Sequence, residues 1–236
     1  MLSSSSISRR VGLAVVGAAV VASVAACGSN SATPKPSLID SFTSKITAAD
    51  FQASGALTGT YTMTVSGTAF NATITGTDKI HGKDSAMSMK LDVAATSATP
   101  ASSTLNDSVD VGGFSYTRTD GGAWTKSAKT SDTTITTVIS QVGLADKGVE
   151  SHFNQQLHRL ESTKPVPVSL MFSDTTGVTN PNLALTFWTK DDGTPAGMTM
   201  AATYTQVSSD SSGDVTMSLD VSFDSLSGVT IEAPSV

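Results

Sequence analysis

Three histidines, His81, His152 and His158, one cysteine, Cys27, and two sets of neighbouring carboxylates, Asp191–Asp192 and Asp210/Asp214, are the side chains of this 236-residue sequence best suited to acid–base, nucleophilic or metal chemistry. A zinc site needs imidazoles and thiolates at spacings that converge, as in HExxH or HxH, and none of the three histidines has one. No GxSxG elbow is present and no serine precedes a lysine by three residues, so the usual serine nucleophiles are missing. Gly112–Gly113 and Gly121–Gly122 sit at joints between apolar runs and open no helix, which makes them turns rather than phosphate cradles. Neighbouring aspartates at a turn bond their own backbone. The stretch "SSDSSGD" offers two carboxylates and no closing glutamate, too few ligands for calcium. No catalytic residue, metal ligand or cofactor can be named, and a non-enzymatic role is the expectation.

Cys27 has a different use. The first ten residues carry no acid and end in Arg9–Arg10, and Val11 to Val24 is a run of apolar and small residues. That run is shorter than the roughly 20 residues that span a bilayer. A basic start, a short apolar stretch and small residues before a cleavage point describe an export signal. The point itself, Val24-Ala25-Ala26-Cys27, resembles the bacterial lipobox, whose cysteine becomes the new N-terminus and is acylated. The expected organisation is a lipoprotein signal peptide over residues 1–26, a polar tether over 27–36 and a single domain over 37–236. Cys27 is the expected lipid attachment site, carrying a palmitate-type chain and anchoring the protein to the extracytoplasmic face of the cell membrane.

With Cys27 acylated no thiol remains for a disulfide, so the domain must stand on its core alone. A chain of this length can hide roughly 70% of its unfolded surface. Loss of Arg9 and Arg10 with the leader leaves 12 basic residues against 20 acidic ones. Such a surface disfavours nucleic acid and gives no polybasic attraction to anionic lipid.

The elements around these residues read from their periods. Leu38, Ile39, Phe42 and Ile46 recur at three and four residues after the start signals Pro36 and Ser37, which predicts a helix over Ser37 to Ala49. From Leu57 the period becomes two. Leu57, Tyr61, Met63 and Val65 alternate with threonines, Phe70, Ala72 and Ile74 with polar residues, and Met87, Met89, Leu91 and Val93 with Ser88, Lys90 and Asp92. Such alternation predicts half-buried antiparallel strands joined by hairpins at Gly67 and Gly82. Further strands are expected over Thr104 to Lys126, then a helix over Ser131 to Leu144 and a short strand over Gln156 to Ser162. Leu183 to Phe187, Met198 to Tyr204 and Met217 to Phe223 form a closing meander. This is an α+β domain whose sheet must curl to cover so many one-sided strands.

The remaining chemical signal is that face. Met63, Met87, Met89, Met198, Met200 and Met217 all fall in phase with the apolar side of their strands. Methionine is flexible and polarizable and repacks around variable partners. A concave, adaptable apolar face suits a lipid. The alternative is an ordinary core in which methionine fills gaps.

The lipobox, the tether, the helix after Pro36, the meander, "FSYTRTDGGAW", the central helix, "QLHRLES", "FWTKDDGTPAGM" and "VTIEAP" follow in the order seen in mycobacterial lipoproteins of the LppX/LprG type. These resemble the LolA/LolB lipoprotein carriers. The resemblance implies a strongly curved antiparallel sheet, a half-barrel, covered on its concave side by helices, with a cavity for a lipid or glycolipid carried through the cell envelope. The residues expected to line it are Met63, Val65, Ile74, Met87, Met89, Leu91, Met198, Met200, Met217, Leu219 and Val221. The expected partners are that ligand and, through Cys27, the membrane, with the protein a monomer. The rival readings are a surface interaction or sensor lipoprotein with a solid core, and an envelope enzyme relying on His152 or His158.

Overall fold

The computed structural model describes residues 36–97, 100–129, 135–168, 176–207 and 212–236, with the side chains of residues 135–137 left aside. The leader, Cys27, the tether up to residue 35, the first residues (131–134) of the expected second helix, and Asp210 therefore lie outside the described residues.

The first helix, α1 (Leu38–Ile46), starts where its cap is. Ser37 has extended backbone angles and its Oγ accepts the Asp40 backbone N–H at 3.1 Å, while Asp40 in the first turn and Lys45 in the last complement the helix dipole. Phe42 and Ile46, one turn apart, share its buried face.

Eleven strands follow among the described residues: β1 (Gln52–Val65), β2 (Thr68–His81), β3 (Asp84–Val93), β4 (Ser102–Val111), β5 (Phe114–Thr119), β6 (Thr125–Ala128), then helix α2 (Ile135–Val142), β7 (Leu144–His152), β8 (Gln155–Ser162), β9 (Val178–Thr189), β10 (Pro195–Val207) and β11 (Ser212–Ser222). They form one open antiparallel sheet in the order β6-β5-β4-β3-β2-β1-β11-β10-β9-β8-β7. Two meanders thus run outward from a central seam. The seam joins the first strand to the last over nine residue pairs, from Leu57↔Val221 to Val65↔Gly213.

The sheet cannot be flat. Ile80 on β2 and Leu185 on β9 lie four strands apart, and Asp110 on β4 and Phe187 on β9 lie six apart. At about 4.8 Å per strand those separations are roughly 19 and 29 Å across a flat sheet. All four residues nevertheless line one cavity of about 260 Å³, so the sheet curls toward the face that bears it.

On that face Phe42 and Ile46 of α1 and Val138, Ile139 and Val142 of α2 share a core with Leu160 of β8, Leu183, Leu185 and Phe187 of β9, and Ala202 of β10. The turn between β9 and β10 ties α1 down: Lys45 Nζ donates to the Asp192 carbonyl at 3.0 Å and to Thr194 Oγ1 at 2.9 Å. The Asp192 carboxyl is pulled down to about 2, first by the Thr194 backbone N–H and hydroxyl and then by Lys45. Gly193, at φ +79°, makes this approach possible. A Cβ there would sit 2.7 Å from the Phe42 nitrogen.

Strand β7 is absent from the sequence reading. Its residues, Leu-Ala-Asp-Lys-Gly-Val-Glu-Ser-His, show no alternation, because a bulge between Asp146 and Val149 breaks the register and Gly148 takes φ +96°. The β7–β8 turn also lacks the usual Asn-Gly: Phe153 and Asn154 both adopt positive φ, 48° and 58°. Packing holds this costly turn. The Phe153 ring lies so close over Gly197 that a Cβ there would meet Cε2 at 2.4 Å, and Phe153 packs on a small cluster of Leu157, Trp188 and Ala196.

Candidate ligand cavity

Directly opposed residues of neighbouring strands share a face, so the register assigns every side chain. One row runs Thr119, Asn106, Met89, Gly76, Leu57, Val221, Met198, Phe187, Leu160, Asp146 across β5 to β7. The parallel rows put Met63 opposite Val215, Met87 opposite Asp78, Met200 opposite Leu219 and Met217 opposite Tyr61. All six methionines of the alternation pattern therefore lie on one face, and all six are half-buried rather than sealed.

This face changes character along the sheet. From β9 to β3 it is mainly apolar. On β4 and β5 the same face carries Thr104, Asn106, Ser108 and Asp110 and then Ser115, Thr117 and Thr119, because the β3–β4 register sets Met87 against Ser108 and Met89 against Asn106. The apolar residues of these two strands, Leu105, Val109, Val111, Phe114 and Tyr116, turn to the opposite side. There Lys126 Nζ lies 3.9 Å from the Phe114 ring, and Arg118 donates from Nε to Asp107 at 2.7 Å.

The cavity of about 260 Å³ opens where apolar and polar parts meet. Its apolar wall is Ile80 of β2, Val138 of α2, Leu185 and Phe187 of β9, and Met198 and Met200 of β10. Its polar wall is Asp78, Lys83, Asp84, Ser85, Asp110 and Lys129. Most of these charges are satisfied within the fold. Lys129 Nζ donates to the Lys83 carbonyl at 3.2 Å and lies 3.7 Å from Asp110, and Asp84 accepts the Gly112 N–H at 3.4 Å.

Asp78 is the exception. It stands on the cavity face between Met87 and Gly55, and burial pushes its carboxyl up to about 6 against a single opposing hydrogen bond from the Lys79 backbone. A carboxyl raised from 3.8 to about 6 binds protons more tightly in the folded chain than in the unfolded one. Stability is then fullest below pH 4, falls as pH rises through about 6, and is flat above. The penalty at neutral pH is at most about 3 kcal/mol, and less once water reaching this half-buried group is counted. Asp78→Asn should therefore melt higher than the parent chain at pH 7.5 and nearly with it at pH 4. An equal difference at both values would contradict the burial argument.

Of the residues expected to line a ligand site, Met198 and Met200 face this cavity. Ile74 and Val221 are buried with Leu57 in a neighbouring cluster, against which Met87, Met89, Leu91, Met198, Met217 and Leu219 pack. Met63 and Val65 lie toward the β1–β2 hairpin, where the Tyr61 hydroxyl approaches the Met63 sulfur at 3.5 Å and hydrogen-bonds Tyr204. Asp78, Val138, Leu185 and Phe187 were not among the expected residues. The sequence did hold a signal for the first of them: Phe70, Ala72, Ile74, Gly76, Asp78, Ile80 is the apolar phase of β2, with one acid in it.

The histidines lie elsewhere. His152 stacks on Trp188 with ring centroids 4.0 Å apart, and its Nε2 is 3.3 Å from Asp220, which accepts the Thr199 hydroxyl. These groups are on the opposite face of the sheet. His158 bridges Asp146 at 3.1 Å and Asp191 at 3.3 Å. Among the described residues no group of three or more His, Cys, Asp or Glu side chains could hold a metal ion, and no helix is long and apolar enough to cross a membrane.

No protein-family model matches the chain, and no curated protein does. Among solved structures it is similar to LprF from Mycobacterium bovis, at a TM-score of 0.39 and 14% identity over 86% of this chain and 99% of that one. It is also similar to a LolA superfamily protein from Nitrosomonas europaea, at a TM-score of 0.27 and 9% identity over 80% of this chain and 93% of that one. These are structures of the two groups that the order of sequence motifs resembles.

Proposed function

We propose that this chain is a lipoprotein anchored through Cys27 on the extracytoplasmic face of the membrane, where it holds a lipid or glycolipid against the concave face of its sheet, beneath α1 and α2, and carries it through the envelope. The observation that supports this reading is the half-buried state of the six methionines on one face, next to a cavity whose inner wall is apolar. At 260 Å³ the cavity falls just under the about 300–1,000 Å³ of small-molecule pockets, a size for one alkyl chain rather than several. Burial of that chain yields about 0.8 kcal/mol per methylene, so binding needs no covalent step.

The test is native mass spectrometry of a form beginning at Gly28, purified from a lipid-producing bacterial host and measured again after solvent extraction. This form keeps the unit Pro36–Val236, within which every contact described above falls. The expected result is one acylated ligand per chain that extraction removes. An empty protein that also fails to take up added lipid would overturn the carrier reading.

A further inference from the structure

Asp78 is hard to explain as a structural residue. Its neighbours on the cavity face are Met87, Gly55, Gly76 and Ile80. Other acids of the sheet have built-in partners: Asp107 has Ser88 and Arg118, Asp110 has Lys129, and Asp220 has Thr199 and His152. Among the described residues Asp78 has only the backbone of Lys79. The two lysines of the cavity do not supply the missing cation, since Lys129 is held by Asp110 and the Lys83 carbonyl, and Lys83 is exposed at the rim. A neutral residue would suit the fold better, and acids kept at such a cost in a cavity mark functional sites.

Its position supplies the role. Asp78 stands where the apolar wall meets the Ser108 and Asp110 side of the cavity, so an alkyl chain lying along Phe187, Leu185 and Met200 would bring its polar end to this carboxylate. Resting on the carrier reading, we propose that Asp78 receives the polar end of the ligand and so selects amphiphiles whose head group donates a hydrogen bond, an ammonium or a hydroxyl, over those with an anionic head. A carboxylate oxygen accepts from either donor and strengthens the bond by its charge. Beside an anionic head it would leave two like charges facing each other in a poorly hydrated site.

The experiment compares decylamine, 1-decanol and decanoate as competitors of the neutral fluorophore N-phenyl-1-naphthylamine, bound at pH 7.5 to delipidated protein beginning at Gly28. The parent chain should release the fluorophore at concentrations of the amine and the alcohol at least tenfold below that of decanoate. Asp78→Asn should bring amine and carboxylate within about threefold of each other. Asp191→Asn, a change remote from the cavity, should keep the parent ratio and so exclude an effect of net charge alone. Decanoate competing as well as decylamine in the parent chain, or a ratio unmoved by Asp78→Asn, overturns the role of Asp78 and leaves the carrier reading standing. Failure of the fluorophore and all three competitors to bind overturns both.

Discussion

Replacing Met200 by tryptophan should abolish ligand uptake while leaving the protein folded. Met200 lies on β10 between Leu185 and Leu219 and faces the cavity, so the indole grows into open volume rather than into a packed neighbour. Inserting bulk into a filled core costs about 1–3 kcal/mol; here the cost should stay below that range. The expected loss of affinity for an alkyl probe exceeds about 100-fold, which removes about 2.7 kcal/mol or more of binding free energy. Met89→Trp provides the contrast, because Met89 packs against the Leu57, Ile74 and Val221 cluster instead of lining the cavity. That change should lower the melting temperature and cost uptake far less. Full uptake by a folded Met200→Trp variant would place the ligand elsewhere.

The second large effect concerns the seat of α1. Phe42 is fully buried, and its ring lies 5.4 Å from that of Phe187, tilted by 50°. Phe42→Ala removes the ring and its aromatic contact with Phe187, and should destabilise the fold by about 3–5 kcal/mol. Against a total of about 5–15 kcal/mol this is a large share. Urea unfolding would show it as a lower midpoint at unchanged slope. A loss under about 1 kcal/mol would mean that α1 is not anchored to the sheet by this residue. Phe187, which Phe42 braces, also lines the cavity, so the variant should bind alkyl probes more weakly even where it remains folded.

Much of this architecture was legible because its signals are local. Ser37 and Asp40 cap α1 through contacts three residues apart. The two-residue alternation of β1, β2, β3, β10 and β11 put all six methionines in one phase, and the register shows one face. The hairpins at Gly67 and Gly82 follow from glycines at positive φ. Strand β7 escaped because a bulge and Gly148 erase its alternation.

Outside β7 and its turn, the sequence by itself determined where the long alternating strands and the hairpins at Gly67 and Gly82 fall and which residues of one strand lie together, since these follow from steric preferences and a period of two. It could not determine which face of one strand continues onto the next across a loop, where a slip of one residue exchanges the two faces. Between β3 and β4 that choice was decisive. Val109 is apolar like the methionines, yet the β3–β4 pairing brings Ser108 and Asp110 to their side and turns Val109 away. The seam of β1 with β11, and the curl that sets Asp78 beside Phe187 and Met200, join residues more than a hundred positions apart. Only tertiary structure decided them, because the free energy that fixes them is burial shared by both meanders and present in neither alone.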